Sequence, residues 1–191
     1  SKITPQNIHT SLRGRAWGIE VFPFSFSEYL QVKDLNLEFS VYGKKKALIK
    51  NALSEYLTWG GFPEVSVVVS EFKKRKILDE YLDAMYFKDL VEKYEISNIS
   101  LLETLKESLF SSFSSKFSLT AFEKKYKGSF PFSKDSLYSY YNHFIESMLV
   151  FETRLHTPSA YKRRRNPPRV YLVDTGLTRH VGTEDKGRLF E

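Results

Sequence analysis

The chain of 191 residues has no cysteine, which excludes disulfide bonds, cysteine-bound zinc and thiol catalysis. It has no run close to the roughly 18 apolar residues of a membrane span, and it opens with no secretory signal. We therefore expect a cytoplasmic protein without a membrane partner, and the lack of cysteine fits this. The four histidines form no i, i+4 pair and no Gly-x-Ser-x-Gly phrase occurs, so we expect no metal site and no complete catalytic site.

The chain does have many aromatic residues and one concentration of positive charge. Its sixteen Phe and twelve Tyr predict a core built from large rings. The net charge is +6, and the segment from Glu152 to Arg169 holds six basic residues and one acidic residue, so the rest of the chain is nearly neutral. A positive field focused on one segment favours a polyanionic partner. The alternative is a solvated hairpin tip that its charge keeps soluble.

The order of elements around this basic segment is the order that a winged helix-turn-helix needs. The pattern predicts helices over residues 119–127 and 134–147, followed by a hairpin that rises through 149–151 and returns through 170–173. The basic residues 162–165 lie in the connection between these two strands of the hairpin. Helical patterns dominate the residues upstream. The predicted fold class is therefore mainly α with minor β, a helical region followed by a winged helix-turn-helix.

Short sequence signals predict where several of the upstream elements begin. Residues 18–22 have the character of a strand. Ser25 and Glu28 have the spacing of a capping box, in which the Ser hydroxyl accepts from a free backbone N–H and the Glu reaches back. Ser100 and Glu103 have the same spacing and predict the start of a later helix.

Two longer helices are predicted between these signals. The first runs from residue 44 to about residue 59 and is followed by Gly-Gly-Phe-Pro at 60–63. A phosphate-binding P-loop would need a Lys-Ser/Thr pair after its glycines, so this phrase is interpreted as a helix stop. The second helix covers the longest periodic segment, 71–94.

The predicted second helix of the turn has only one cation, Lys134, on its outward face, which is few for reading base edges. We therefore expect DNA as the partner, held through phosphates with weak sequence specificity. The candidate nucleic-acid-binding residues are Lys134, Lys162, Arg163, Arg164, Arg165 and Arg169. The alternative is a protein–protein coupling module without DNA contact, in which the outward rings of Tyr138 and Tyr161 are buried in a partner surface.

The phrase Asp174-Thr175-Gly176 follows an apolar strand, as the active-site phrase of an aspartic protease does. That enzyme class needs two such loops sharing one proton, on an almost all-β fold. Only one copy occurs in this mainly helical chain. Asp174 is therefore interpreted as the cap of the turn that follows the strand.

Three phrases are spread in order over nearly the whole chain. They are SLRGR at 11–15 followed by PFSFSEYL at 23–30, GGFPE at 60–64 with DLVE at 89–92, and VYLVDTGL at 170–177. In this order and spacing the chain resembles a large prokaryotic family of AAA+-type ATPases, abundant in archaea, whose C-terminal half is a domain of unknown function.

The resemblance implies an ATPase core whose Walker motifs lie upstream. This chain is then expected to be a fragment lacking the P-loop, with no cofactor of its own, while ATP and Mg²⁺ bind to the parent protein. Arg15, or Arg13, is implied as an arginine finger or sensor, because a guanidinium stabilises charge on the γ-phosphoryl group. An arginine that caps a helix C-terminus is the alternative. The upstream ATPase core is the second implied partner.

The resemblance also implies a winged helix and, beyond it, a domain resembling PD-(D/E)XK nucleases. Glu191 would match the first acidic residue of the nuclease site in that domain. The second carboxylate and the lysine of that site are missing from this chain, so no metal site is expected. Four domains are predicted: a C-terminal remnant of the ATPase core (1–32), a helical linker or lid region (33–98), the winged helix-turn-helix (99–177) and the truncated start of the nuclease-like domain (178–191).

Overall fold

The structure is a computed structural model that describes residues 19–35, 43–181 and 187, and all of their side chains except those of Arg163, Arg164 and Val181. Most described residues are helical and a small antiparallel sheet accompanies them, so the fold class of mainly α with minor β is confirmed. The helices are α1 (Phe26–Val32), α2 (Gly43–Trp59), α3 (Pro63–Val67), α4 (Glu71–Tyr86), α5 (Ile99–Ser111), α6 (Leu119–Tyr126), α7 (Lys134–Glu146) and α8 (Ala160–Arg165). The strands are β1 (Ser115–Lys116), β2 (Val150–Thr153) and β3 (Arg169–Leu172).

Two segments depart from α-helical geometry. The predicted long helix over 71–94 is observed as α4, which continues into a π-helical segment, Phe87–Glu92. A 3-10 helix, Thr175–Val181, follows β3. This 3-10 helix packs against α2, from the first half of the chain, and against α5, from the second half.

The three strands form one sheet in the order β1–β3–β2, with the last strand in the middle. β2 and β3 pair from Val150 opposite Leu172 to Thr153 opposite Arg169. The hairpin prediction missed α8, which lies between these two strands. A helix of six residues has no room for apolar periodicity, so the pattern of the sequence could not indicate it.

Side-chain caps decide where α1 and α5 begin. Ser25 and Glu28 form the predicted capping box, in which the Ser25 N–H donates to the Glu28 carboxylate at 2.8 Å. The prediction that Ser100 begins the later helix was wrong. Asn98 caps α5 instead, because its side-chain oxygen accepts from the Leu101 N–H at 3.0 Å while its amide nitrogen donates to a carbonyl in the turn before α7, at 2.9 Å.

The strand predicted over residues 18–22 is not observed among residues 19–22, the part of it that the structure describes. These residues leave Ile19 and Val21 more than four-fifths exposed. Apolar alternation gives a stable strand only where other strands pair with it. In the described chain this segment meets the sheet through a ring contact, Phe22 on Phe151, whose centroids lie 5.9 Å apart.

One hydrophobic core runs from Leu57 in α2 to Leu177 after β3. It therefore crosses residue 98, where the sequence predicts the boundary between a helical linker and a winged helix. Aromatic rings fill its second half, as the composition predicted: Phe117 and Tyr141 stack with their centroids 6.0 Å apart, and Phe122 packs beside Phe117. The predicted domain limits themselves stay predictions.

A smaller cluster joins α1 to α2. Tyr29 and Leu30 of α1 are almost fully buried with Ala52 of α2. The hydroxyl of Tyr56 donates to the carbonyl of Phe24 at 2.7 Å, which holds the segment before α1 against α2. Phe24 N–H in turn donates to the carbonyl of Gly61 at 2.8 Å. The residues before α1 are thereby attached to the glycine pair that follows α2.

Candidate nucleic-acid interface

α7 buries one face and exposes a polar one, as predicted. Its buried side chains are Leu137, Tyr140, Tyr141 and Phe144. Lys134 is exposed at its start, and its ammonium lies 5.8 Å from the centroid of the Tyr138 ring one turn later. Asn142 is also exposed. The outward face of α7 therefore offers one cation, one amide and one ring, which is a thin set for reading base edges.

α8 places basic residues on a short helix between the two strands of the hairpin. The Ser159 hydroxyl begins it by accepting from the Lys162 N–H at 3.3 Å, and the Asn166 amide ends it by donating to the Lys162 carbonyl at 2.9 Å. Lys162 and Arg165 are exposed. Arg165 donates to the hydroxyl of Tyr161 at 2.8 Å across one helical turn. This arrangement concentrates positive charge at the tip of the hairpin.

Two basic residues of the hairpin outside α8, Arg154 and Arg169, contact the protein itself. Arg154 binds the Glu152 carboxylate at 2.7 Å, and the same carboxylate accepts from the Tyr141 hydroxyl at 2.7 Å. Arg169 in β3 donates to the carbonyl of Ser114 at 3.2 Å, so its guanidinium also braces β1. In the part of the chain that the structure describes, Lys134 and Lys162 form no ion pair within 4.0 Å. Among the basic residues of the hairpin, those available to a ligand therefore lie on α8.

The remaining candidates can be placed only in part. Arg163 and Arg164 lie in α8, between Lys162 and Arg165, and the structure does not describe their side chains. Arg13, Arg15 and Glu191 lie outside the described residues. Their implied roles in an ATPase core and a nuclease-like domain stay predictions.

A second feature brings two of the phrases of the sequence together. Asp174, only 5% exposed, accepts from the Gly176 N–H at 2.7 Å, which is the predicted turn cap. Its other carboxylate oxygen accepts from the Gly61 N–H, also at 2.7 Å. Gly60 has a φ of +79°, and a Cβ there would overlap the Asp174 carboxylate. The GGFP phrase therefore has to carry glycine at this position for both steric and conformational reasons.

Asp174 and its contacts with Gly61 and Gly176, called the Asp174 latch below, join the end of α2 to the end of β3. Burial raises the pKa of Asp174 to about 6 from its usual 3.8, against the lowering effect of the backbone N–H groups of Gly61, Gly176 and Phe62. Sequence reasoning assigned Asp174 only a local role. The signal that it missed was that GGFPE and VYLVDTGL, which hold the glycine pair and Asp174, both belong to the three phrases that carry the family resemblance.

Among the described residues there is no group of three or more His, Asp or Glu side chains that could hold a metal ion. Two of the described histidines, His143 and His180, make structural contacts. His143 stacks on Tyr94 with the ring centroids 3.7 Å apart, and His180 lies 3.4 Å from the Asp79 carboxylate. None of the described helices is both long enough and apolar enough to cross a membrane.

A family model described as a domain of unknown function, DUF8612, matches residues 50–187. This match covers well over half of the chain. The chain belongs to the DUF8612 family. The matched part of DUF8612 runs from within α2 to beyond β3, so it includes both sides of the Asp174 latch and the basic helix α8.

The DUF8612 chain is similar to proteins of an archaeon and of a bacterium. It is 30% identical over 194 residues to an uncharacterized protein of Methanocaldococcus jannaschii, covering 100% of this chain and 43% of the relative. It is 24% identical over 177 residues to an uncharacterized protein of Haemophilus influenzae, covering 90% of this chain and 41% of the relative. The chain thus spans less than half the length of these relatives. No solved structure matches it.

These comparisons confirm a domain of unknown function with an archaeal relative. The resemblance also implied an AAA+ ATPase core, a winged helix and a nuclease-like domain. The comparisons do not test these three, so they stay predictions.

Proposed function

We propose that this chain is the C-terminal part of a longer, AAA+-like ATP-binding protein, and that residues 99–177 form a non-catalytic winged helix-turn-helix within it. The basic wing, which is the hairpin of β2 and β3 with α8 between them, binds the phosphates of DNA with weak dependence on base sequence. ATP and Mg²⁺ are assigned to the upstream ATPase core.

The order of the elements supports the winged-helix part of the proposal. α5, β1, α6, α7, β2 and β3 follow one another as helix, strand, helix, helix, strand, strand, and β3 lies between β1 and β2 in the sheet. In a helix-turn-helix the second helix of the turn faces the major groove. That helix is α7 here, with the hairpin as the neighbouring wing.

The observation that carries the DNA-binding part is the charge of α8. Four consecutive basic residues occupy positions 162–165 in a chain whose remaining charges nearly cancel. Arg154 and Arg169, at the two sides of the hairpin, are already engaged with protein groups, whereas Lys162 is exposed and forms no ion pair in the described chain. Cations placed in this way attract a polyanion, and binding releases the counterions condensed on DNA.

The test measures the affinity for a labelled duplex of about 20 base pairs by fluorescence anisotropy, between about 50 and 200 mM salt. We expect the logarithm of the binding constant to fall linearly with the logarithm of the salt concentration. Replacing residues 162–165 by alanine should weaken binding at low salt at least about tenfold and reduce the slope by about 2 to 4, because each lost phosphate contact removes about 0.9.

A matched control removes the same number of charges elsewhere. Lys44, Lys46, Lys50 and Lys73 are exposed on α2 and α4, and their replacement by alanine also lowers the net charge by four. This control should change the slope little if the wing makes the contacts. Equal losses in both variants would mean that net charge alone attracts the DNA. No binding at low salt would refute the proposal.

A second candidate function is a protein–protein coupling module that packs on the ATPase core without DNA contact. An exposed apolar segment favours it: Ile19 is 82% and Val21 is 87% exposed. With Phe151, Leu172 and other residues, residues 20–22 of this segment line an open groove of about 690 Å³. If this function is right, residues 19–22 exchange their amide hydrogens more slowly in the full-length protein than in this chain, and duplex DNA does not bind.

A further inference from the structure

The wing carries an exposed aromatic ring among its cations. Tyr161 lies in α8 and is 68% exposed. Arg165 donates to its hydroxyl at 2.8 Å, and the guanidinium carbon lies 5.7 Å from the ring centroid. The ring is therefore held from one side by a cation of the same helix while most of its surface faces solvent.

A second exposed ring lies on the helix that would face the DNA. Tyr138 in α7 is 39% exposed, and Lys134 lies 5.8 Å from its centroid. Both elements of the candidate interface thus pair an exposed tyrosine with a cation one turn away. Long polar side chains that can reach base edges in a duplex are few on α7, where Lys134 and Asn142 are exposed beside the shorter Asp135 and Ser139.

We propose that this surface prefers DNA with unpaired bases next to a duplex, and that Tyr161 is the platform on which an unpaired base stacks. The proposal rests on the proposed DNA-binding function and specifies its ligand. Proteins that bind unpaired strands combine cations that follow the backbone with aromatic rings that stack on bases, and every base has a face that can stack. Within a duplex the faces of the bases are already stacked on one another, so the exposed face of Tyr161 has no equivalent partner there.

The test compares three labelled DNAs with the same label: a blunt duplex, the same duplex with a tail of about ten unpaired thymidines, and the tail alone. We expect the tailed duplex to bind more tightly than the blunt duplex by about 5- to 150-fold, the range that stacking of one base on an aromatic side chain supports. Tyr161→Leu should remove this preference, so that the tailed and the blunt duplex bind with similar affinity. Tyr161→Phe should keep the preference, because stacking needs the ring and not the hydroxyl.

A spectroscopic readout separates stacking from charge. 2-Aminopurine in the first unpaired position should change its fluorescence on binding to the natural chain and to Tyr161→Phe, but not on binding to Tyr161→Leu. Phe72→Leu is the matched control, because Phe72 is 77% exposed on α4 and lies outside the wing. It should leave both the preference and the fluorescence change intact.

The outcomes distinguish this inference from the proposed function. If the blunt and tailed duplexes bind equally, or if Tyr161→Leu weakens both to the same extent, the stacking proposal is wrong and phosphate binding by the wing stands. If none of the three DNAs binds at low salt, both proposals are wrong. Circular dichroism and thermal unfolding should be unchanged in each variant, since the exposed rings contribute little to the core.

Discussion

Replacing Gly60 by alanine should destabilise the fold far more than the same change at Gly128. Both glycines have a positive φ, +79° and +101°, in the region that residues other than glycine rarely adopt. They differ in their surroundings. A Cβ on Gly60 would overlap the buried carboxylate of Asp174, whereas a Cβ on Gly128 meets nothing within 4 Å. The pair therefore separates backbone strain from the contact with the Asp174 latch.

The structure indicates the magnitude of the difference. A left-handed conformation costs an alanine about 1–2 kcal/mol, and this cost is common to both positions. At Gly60 the carboxylate also has to move away from two backbone N–H groups, those of Gly61 and Gly176, which it contacts at 2.7 Å. A buried donor left without an acceptor costs about 1–3 kcal/mol. Gly60→Ala should therefore lower the free energy of unfolding by about 3–8 kcal/mol and Gly128→Ala by about 1–2.

Denaturant unfolding followed by circular dichroism measures both values, and a double mutant isolates the contact. In an Asp174→Ala background the clash is absent, so Gly60→Ala should cost about the same there as Gly128→Ala does in the natural chain. Similar losses for the two glycines in the natural chain would mean that the carboxylate moves aside at little cost. The latch would then contribute little to stability, contrary to the geometry.

The remaining predictions concern buried charges. The folded-state pKa of Asp174, about 6, lies above its usual 3.8, so protonation of this carboxyl group stabilises the fold, and that stabilisation is fully present below about pH 3.8 and is lost as the pH rises through 6. This contribution amounts to about 3 kcal/mol, and the stability difference between the natural chain and Asp174→Asn should vary with pH by that amount between about pH 3.5 and 7; parallel curves would contradict it. Lys74, which is 3% exposed, forms an ion pair with Glu55 and lies 5.5 Å from the centroid of the Trp59 ring. Glu55→Gln should therefore cost about 3 kcal/mol by leaving this cation buried without its carboxylate, while the double change Glu55→Gln with Lys74→Met should recover most of the loss; no recovery in chemical unfolding would refute this.

The charge distribution and the helix faces of the candidate interface could be predicted from the sequence. The buried side of α7 and its single outward cation, Lys134, follow from the spacing of apolar residues along one helix. The concentration of basic residues at 162–165 is a property of composition alone. These features depend on neighbours within about four residues, the range over which sequence patterns are informative.

The helix α8 and its tyrosine–arginine pair could not be predicted in the same way. The stretch that forms α8 is short, basic and flanked by prolines, which is the composition of a loop. Once α8 is known to be a helix, the spacing of Tyr161 and Arg165 makes their contact expected, because residues four apart lie on the same side. The cap of α5 was missed for a related reason: Asn98 also binds the turn before α7, which local spacing does not reveal.

The sequence by itself determined where helices form, which of their faces are apolar and where the positive charge lies, because these depend on nearby residues and on composition. Only the tertiary structure decided that Asp174 meets Gly61, 113 residues earlier, and that Gly60 leaves the space for it. It also decided that the core continues across residue 98. Contacts of this kind depend on the path of the whole backbone, and no pattern within one segment specifies that path.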